Sequence, residues 1–366
     1  MPSNYNSNKL NSPAQKPDNG SGWQFSVIAG VALIAVALLL FGFVFFIGKG
    51  DDSSSQGEES SQGETSKSET SQSSESGTSA KGTQSDSSKA ETTAAVTTAA
   101  SAADSSSAVE KTAGNTVVHF IDCGQGDCTL VISGGEAMLI DSGERDDNDN
   151  VIKYIKAQGV TKFKYIIVTH PHTDHMGEMP DILKAFKTEK FIMPKVPDNM
   201  VPTIMRYEKM LKQVKAQGLT VTWSSDTQFK LGSAVINTYT PKQELEGLNN
   251  YSTLVKVTCG ERKFLITGDC EKEEEADILS QKFDLTADVL KVPHHGSYEG
   301  TTYELLSAVK MKYAVISCGK DNDYGHPHDS TLNRIKKYTN KVYITKDNGT
   351  VVFSTDGKEL SVTTQR

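Results

Sequence analysis

The stretch His170-Pro171-His172-Thr173-Asp174-His175 places three of the chain's eight histidines and one carboxylate within six residues. It follows directly on an apolar strand, Tyr165 to Val168. Pro171 cannot donate to a sheet ladder and disfavours a helical conformation at His170, so the polar side chains belong on a loop at a strand end. Neutral imidazoles and a carboxylate are the ligands that divalent zinc, manganese or iron take from a protein. Side chains at i and i+2 of an extended loop can converge on one ion. Those at i+4 and i+5 turn back and can hold a second. A solvated polar loop is the plain alternative, and it would need this density of ligands by chance.

Other apolar strands end in the same way. Leu265-Ile266-Thr267-Gly268-Asp269 closes on a carboxylate that could bridge two cations. Taken alone, Asp269 reads better as the N-cap of the helix that follows. Val289 to Val292 runs into Pro293-His294-His295-Gly296-Ser297, and Tyr324-Gly325-His326-Pro327-His328 lies a short way beyond a further strand. Strand ends along one edge of a sandwich are where such groups would assemble a site. His119 differs: it sits inside a strand in register with Val117 and Ile121, and reads as structural.

The remaining pattern from Val117 onward alternates short strands with helices. Strands are expected at Val117 to Asp122, Cys128 to Ile132, Ala137 to Asp141, Phe191 to Met193, Thr220 to Trp223, Phe229 to Leu231, Ala234 to Tyr239, Leu254 to Cys259, Lys263 to Thr267 and Tyr313 to Ser317. Helices are expected at Asn148 to Gln158, Pro180 to Phe186, Thr203 to Gln217, Lys272 to Gln281 and Thr302 to Val309, with glycine stops at Gly159 and Gly218. Ile204, Tyr207, Leu211 and Val214 mark the buried face of the third. Ser330 is expected to cap a helix reaching Tyr338. Lys341 to Thr345 and Thr350 to Ser354 are expected to pair as a hairpin across Asn348-Gly349. Mixed sheets with helices outside follow, as one large domain over 115–366.

The chain ahead of that domain has a different character. Residues 1–26 are rich in Asn, Ser, Pro and Gly and read as a short disordered cytoplasmic tail. Residues 27–47 carry no charged, amide or hydroxyl side chain, and twenty-one helical positions match the ~30 Å hydrocarbon core of a bilayer. An uncleaved anchor is expected, with Trp23 at one interface. The apolar run exceeds a signal-peptide core, and Gly48-Lys49-Gly50 is a poor cleavage site. Lys9 and Lys16 against Asp18 favour a cytoplasmic tail and an extracytoplasmic C-terminal domain. Residues 48–114 are Ser, Thr, Ala, Gly and Glu without an aromatic, which reads as a disordered acidic tether.

The net charge of −8 belongs mostly to that tether: residues 50–114 hold eleven acids against four lysines, and residues 1–49 hold three lysines and one aspartate. The folded part therefore carries about −3 and has no global basic footprint for nucleic acid. The five cysteines are odd in number and form no Cys-x-x-Cys pair, and free, mostly buried thiols are expected.

The His170–His175 run resembles the HxHxDH motif of the metallo-β-lactamase superfamily. Phe120-Ile121-Asp122-Cys123-Gly124-Gln125-Gly126-Asp127-Cys128 resembles the FxDVGQGDS opening of the metallo-β-lactamase domain of the DNA-uptake competence protein ComEC. Asn249 to Val255, Leu265 to Asp269, Lys291 to Ser297 and Tyr324 to His328 resemble later blocks of that family, in the same order.

The resemblance implies an αββα sandwich and two divalent metal ions, zinc or manganese. It gives His170 and His172 to one metal, Asp174, His175 and His294 to the other, and Asp269 to both. His295 and His326 would face the substrate, and Asp174 would also orient a hydroxide that the metals generate from water. Asn249 and Asn250 stand where many members of the superfamily place a third histidine. The implied activity is phosphodiester hydrolysis, with DNA or nucleotides as the first choice of substrate and a wall phosphodiester of the choline-phosphate type as the second. A binding module that has lost activity is the non-enzyme alternative. No sequence feature points to a protein partner. One anchor in place of a polytopic channel means that DNA transport is not implied.

Overall fold

The computed structural model describes residues 115–366. The tail, anchor and tether expected for residues 1–114 lie outside the described residues. Among the described residues no helix is long and apolar enough to cross a membrane.

Strands follow in the order β1 (Thr116–Phe120), β2 (Thr129–Ser133), β3 (Glu136–Ile140), β4 (Lys162–Ile167), β5 (Lys187–Met193), β6 (Val221–Trp223), β7 (Thr227–Leu231) and β8 (Ala234–Tyr239). They continue as β9 (Leu254–Cys259), β10 (Arg262–Ile266), β11 (Val289–Lys291), β12 (Tyr313–Ile316), β13 (Val342–Ile344), β14 (Val351–Thr355) and β15 (Leu360–Thr364). The helices are α1 (Asn150–Ala157), α2 (Thr173–Met176), α3 (Met179–Ala185), α4 (Met205–Ala216), α5 (Lys272–Ser280), α6 (Tyr303–Val309), α7 (Asp329–Ile335) and α8 (Thr345–Asn348).

One sheet has the order β15-β14-β1-β2-β3-β4-β5-β6, antiparallel as far as β3 and parallel beyond it. The other has the order β13-β12-β11-β10-β9-β8-β7, parallel from β13 to β10 and antiparallel beyond.

Side-chain alternation gives each central strand two buried faces. Val118, Phe120, Met138 and Ile140 meet Val255, Val257, Phe264 and Phe353 between the sheets. Leu130, Leu139, Phe163 and Ile166 turn outward onto Ile155, Ile182 and Met210. Leu265, Leu290 and Ile316 turn outward onto Ile278, Leu305 and Ile335. Each such side chain contributes about 1.5–3 kcal/mol by leaving water, and three apolar layers produce the expected αββα sandwich. The parallel strands β10, β11 and β12 end on a common edge, so the polar residues that follow them are brought together.

Most of the expected elements are present within a few residues, and all five cysteines are free thiols. Three expectations fail. The segments on either side of Asn348-Gly349 do not pair: β13 lies on β12 in one sheet, and β14 lies between β1 and β15 in the other. Gly349, at φ +66°, ends the one-turn helix α8 where the chain changes sheets. The strand that pairs with β14 is β15, whose half-exposed sequence is weakly patterned. Helix α7 starts after His328, so Ser330 lies inside it and caps nothing. In α4, Met210 takes a buried place and Ile204 is exposed ahead of the helix.

His119 lies within β1 and faces α1, where its Nδ1 is 2.9 Å from the Tyr154 hydroxyl. Burial lowers its pKa from 6.5 to about 4. The unfolded chain therefore takes up a proton near pH 6.5 that the folded chain refuses until about pH 4. Stability from this group is full above pH 6.5 and is lost as pH falls through that window, by on the order of 3 kcal/mol. His119→Gln should flatten the dependence of the urea midpoint on pH between 6.5 and 4. A variant that loses stability as steeply as the parent contradicts this account.

Candidate metal centre

The parallel pair β3 and β4 builds the first half of the site. Beyond β4, the backbone N–H of Thr169 donates to Asp141 Oδ1 and its hydroxyl to Asp141 Oδ2, both at 2.7 Å. Asp141 ends β3 in a left-handed conformation, φ 59°, and is wholly buried. The chain then passes through His170 and His172 into the single turn α2, which carries Asp174 and His175. His170 Nε2 and His172 Nδ1 lie 2.9 Å apart.

The opening motif supports this loop from below. The Asp127 N–H donates to the Asp174 carbonyl at 3.0 Å. Gly126 sits at φ +110°, and a Cβ there would lie 1.9 Å from that same carbonyl oxygen. Only glycine allows the two backbones to approach so closely.

The second half comes from the other sheet. Asp269 follows β10, and its N–H donates to Ser252 Oγ at 3.1 Å. It caps no helix, since α5 begins after Glu271. One carboxylate oxygen, Oδ1, lies 3.1 Å from His175 Nε2. The other lies 3.3 Å from His295 Nε2, 3.8 Å from His294 Nε2 and 3.9 Å from His170 Nε2. Asp269 thus stands between the two histidine groups, as a bridging ligand must.

His294 and His295 follow β11 with φ values of 47° and 51°. Two consecutive non-glycine residues in that region store strain, and they aim neighbouring rings to different places. His295 is buried. Its Nδ1 is held by the Ser317 carbonyl at 2.8 Å and Asp127 Oδ1 at 3.3 Å, and its Nε2 is 3.0 Å from Asp174 Oδ2. His294 is partly exposed, and its Nδ1 lies 3.2 Å from Glu271 Oε1. Potential ligand atoms of Asp174, His175, Asp269 and His295 all lie within 4.8 Å of one another.

The donor set fits a metal centre. His175 Nε2 and Asp269 Oδ1 are buried and face each other at 3.1 Å, with no other hydrogen bond to either atom. The far nitrogen of His175, Nδ1, meets Asp141 Oδ2 at 2.9 Å, which is how proteins fix the tautomer of a ligating imidazole. Burial drives the His170 imidazole well below its usual pKa, toward the neutral form that binds a metal. Burial also pushes the Asp174 carboxyl up, but His175 and His295 overcome it and hold it well below the usual carboxylate range. Asn249 lines the cavity at the position noted for a third histidine, and donates to Glu271 Oε1 at 2.7 Å.

His326 reaches the same cavity from the loop after β12. Its ring lies 5.5 Å from that of His294 and 5.9 Å from that of His295. Burial, followed by the neighbouring His295 and His294, lowers its pKa to about 4. The cavity of about 260 Å³ is lined by His172, Asp174, Asp269, His294, His295 and His326, among others. His170, His172, Asp174, His175, Asp269, His294, His295 and His326 therefore lie in one place.

Sequence reasoning passed over three supporting residues. Asp141 was visible only as the end of a strand. Asp127 and Lys291 form an ion pair at 2.7 Å, with both side chains buried, between the opening loop and β11. Burial raises the Asp127 carboxyl, while Lys291 and His295 pull it lower than usual. A lysine inside the apolar run Val289-Leu290-Lys291-Val292 was the available signal.

A family description, the metallo-beta-lactamase superfamily, matches residues 121–320. The chain belongs to the metallo-β-lactamase superfamily. Among its relatives in that superfamily, ComE operon protein 3 of Bacillus subtilis is 29% identical over 262 residues, covering 64% of this chain and 32% of that one. Recombination protein 2 of Haemophilus influenzae is 28% identical over 239 residues, covering 64% and 28%. This chain spans about a third of the length of these relatives. Among solved structures, the metallo-β-lactamase fold protein YhfI of Bacillus subtilis aligns with a TM-score of 0.43 at 14% identity, covering 64% of this chain and 98% of that one.

The geometry separates two adjacent histidines by a measurable consequence. His295 lies among the potential ligand atoms, and His294 lies on their margin. His295→Ala should lower the metal content of purified protein at a fixed chelator concentration more than His294→Ala does. Equal loss in both, or greater loss in His294→Ala, contradicts that reading.

Proposed function

We propose that this chain is a metal-dependent hydrolase of phosphodiesters, with DNA or nucleotides as its substrates. The observation that carries the reading is Asp269, whose carboxylate is shared between two groups of histidines within one cavity. His170 and His172 would hold one ion. Asp174, His175 and His295 would hold the other, with Asp269 common to both. When bound, two divalent ions of the zinc or manganese kind supply a nucleophile from water at neutral pH and offset charge on a phosphoryl oxygen.

The protein's own groups supply orientation. Asp174 faces the cavity and accepts from the reacting water. His326 stays neutral at pH 7, because its pKa is about 4, and offers a ring N–H to a developing oxyanion or a leaving oxygen. His294 lies on the same wall and orients the ester. The relative named for recombination supports a nucleic acid ahead of a lactam.

We further propose that residues 27–47 hold the enzyme to a membrane with the catalytic domain outside it. The apolar run and the Lys9/Lys16 bias support this placement. A wall phosphodiester is the second substrate reading, supported by the same ligand set.

Metal-loaded protein should cleave bis-p-nitrophenyl phosphate and DNA, leave a β-lactam untouched, and lose both activities in chelator. Cleavage of the lactam alone would overturn the substrate class. Silence on all three would favour a binding module.

A further inference from the structure

One wall of the cavity carries an exposed aromatic ring. Tyr324 is 63% exposed and lines the cavity beside His294 and His326. His326 lies beside it in a near-parallel, offset arrangement, with ring centroids 5.5 Å apart and planes 17° apart. The row continues outward. His326 meets His328 at 5.0 Å, and His328 meets the half-exposed Tyr298 at 4.9 Å.

The row is held by polar contacts on both sides. Asn322 Oδ1 accepts the His326 N–H at 2.8 Å, and Asn322 Nδ2 donates to the His326 carbonyl at 2.9 Å. Lys346 Nζ donates to that carbonyl at 2.8 Å, and His328 Nδ1 accepts the Tyr298 N–H at 3.2 Å. These contacts fix the His326 backbone and the His328 ring, and so fix the surface beside which Tyr324 lies.

Among the described residues no lysine or arginine lines the cavity. A polyanion would find no basic groove there. Whatever holds the rest of the substrate must come from another kind of contact, and an open aromatic face is available. Base stacking is such a contact, and it tolerates any base because every base has a π-face. Bases in a duplex already cover one another, so only an unpaired base can use it. A quaternary ammonium prefers a cage of several rings. Tyr324 presents one exposed tyrosine ring to the cavity.

We infer that Tyr324 is a stacking platform for an unpaired nucleobase next to the reacting phosphate, which selects single-stranded nucleic acid or nucleotide diesters. This deepens the phosphodiester reading and rests on it. Tyr324 is a specificity residue and takes no part in holding the metals.

Three chromogenic diesters with one leaving group test it on the metal-loaded full chain: thymidine 5′-(p-nitrophenyl phosphate), methyl p-nitrophenyl phosphate and p-nitrophenyl phosphorylcholine. In Tyr324→Leu the ratio of kcat/KM for the thymidine ester over the methyl ester should fall about tenfold or more, the usual loss for one stacked base. Tyr324→Phe should keep it. An unchanged ratio in Tyr324→Leu overturns the inference, and so does a fall confined to the phosphorylcholine ester. If the parent protein cleaves none of the three, the hydrolase reading fails by itself. Fluorescence anisotropy of a labelled oligothymidylate then decides the platform. Weaker binding by Tyr324→Leu than by the parent upholds it, and equal binding overturns it.

Discussion

A carboxylate buried among histidines is a demanding arrangement, and the rest of this site is built around one. Asp269 is buried, and four imidazole nitrogens lie within 3.1 to 3.9 Å of its oxygens. Removing a carboxylate from water costs several kcal/mol unless positive charge shares the space. Imidazoles supply that charge only when protonated, whereas divalent cations supply it while leaving the rings neutral. The topology places this carboxylate where ligands from the other sheet can meet it. Asp269 leaves β10 at the edge where β11 sends out His294 and His295, and the chain beyond β12 brings His326 to the same cavity.

Behind the ligands stands a layer of groups that fix their direction. Asp141 holds Nδ1 of His175, and the Ser317 carbonyl with Asp127 holds Nδ1 of His295. In both rings the remaining nitrogen, Nε2, is turned toward Asp174 and Asp269. The Asp127–Lys291 pair ties the opening loop of one sheet to a strand of the other. A buried pair of this kind is a poor source of net stability, and removing one partner leaves an uncompensated charge. Its value lies in position, together with the left-handed backbone at His294 and His295. Stability lost to such features is recovered in the three apolar layers that flank the site.

The sequence made most of this legible, for reasons that differ between elements. Ala234–Tyr239 and Leu254–Cys259 have the bounds expected of them, because alternation and glycine turns are local signals that the sheets reinforce. The candidate ligands were legible because histidines after apolar strands have few other uses. The Asn348-Gly349 turn misled because turn chemistry reports a change of direction and carries no information about which sheet receives the next strand. The resemblance gives His294 to a metal and His295 to the substrate, whereas the fold sets His295 among the potential ligand atoms and His294 on their margin, a difference in direction that comes from two positive φ angles. The Asp127–Lys291 pair joins residues far apart in the chain, and only the folded sandwich brings them together. Tyr324 reads in sequence as part of a loop, and only the fold sets its ring beside His326.

The central claim is that one carboxylate, Asp269, serves two ions at once. Metal stoichiometry by mass spectrometry under native conditions tests it most directly, comparing the parent protein with Asp269→Asn after reconstitution with zinc and with manganese. The account predicts two ions per chain in the parent, bound cooperatively, and weakened binding of both in the variant. A parent that saturates with one ion, or a variant that still holds two as tightly, would contradict it.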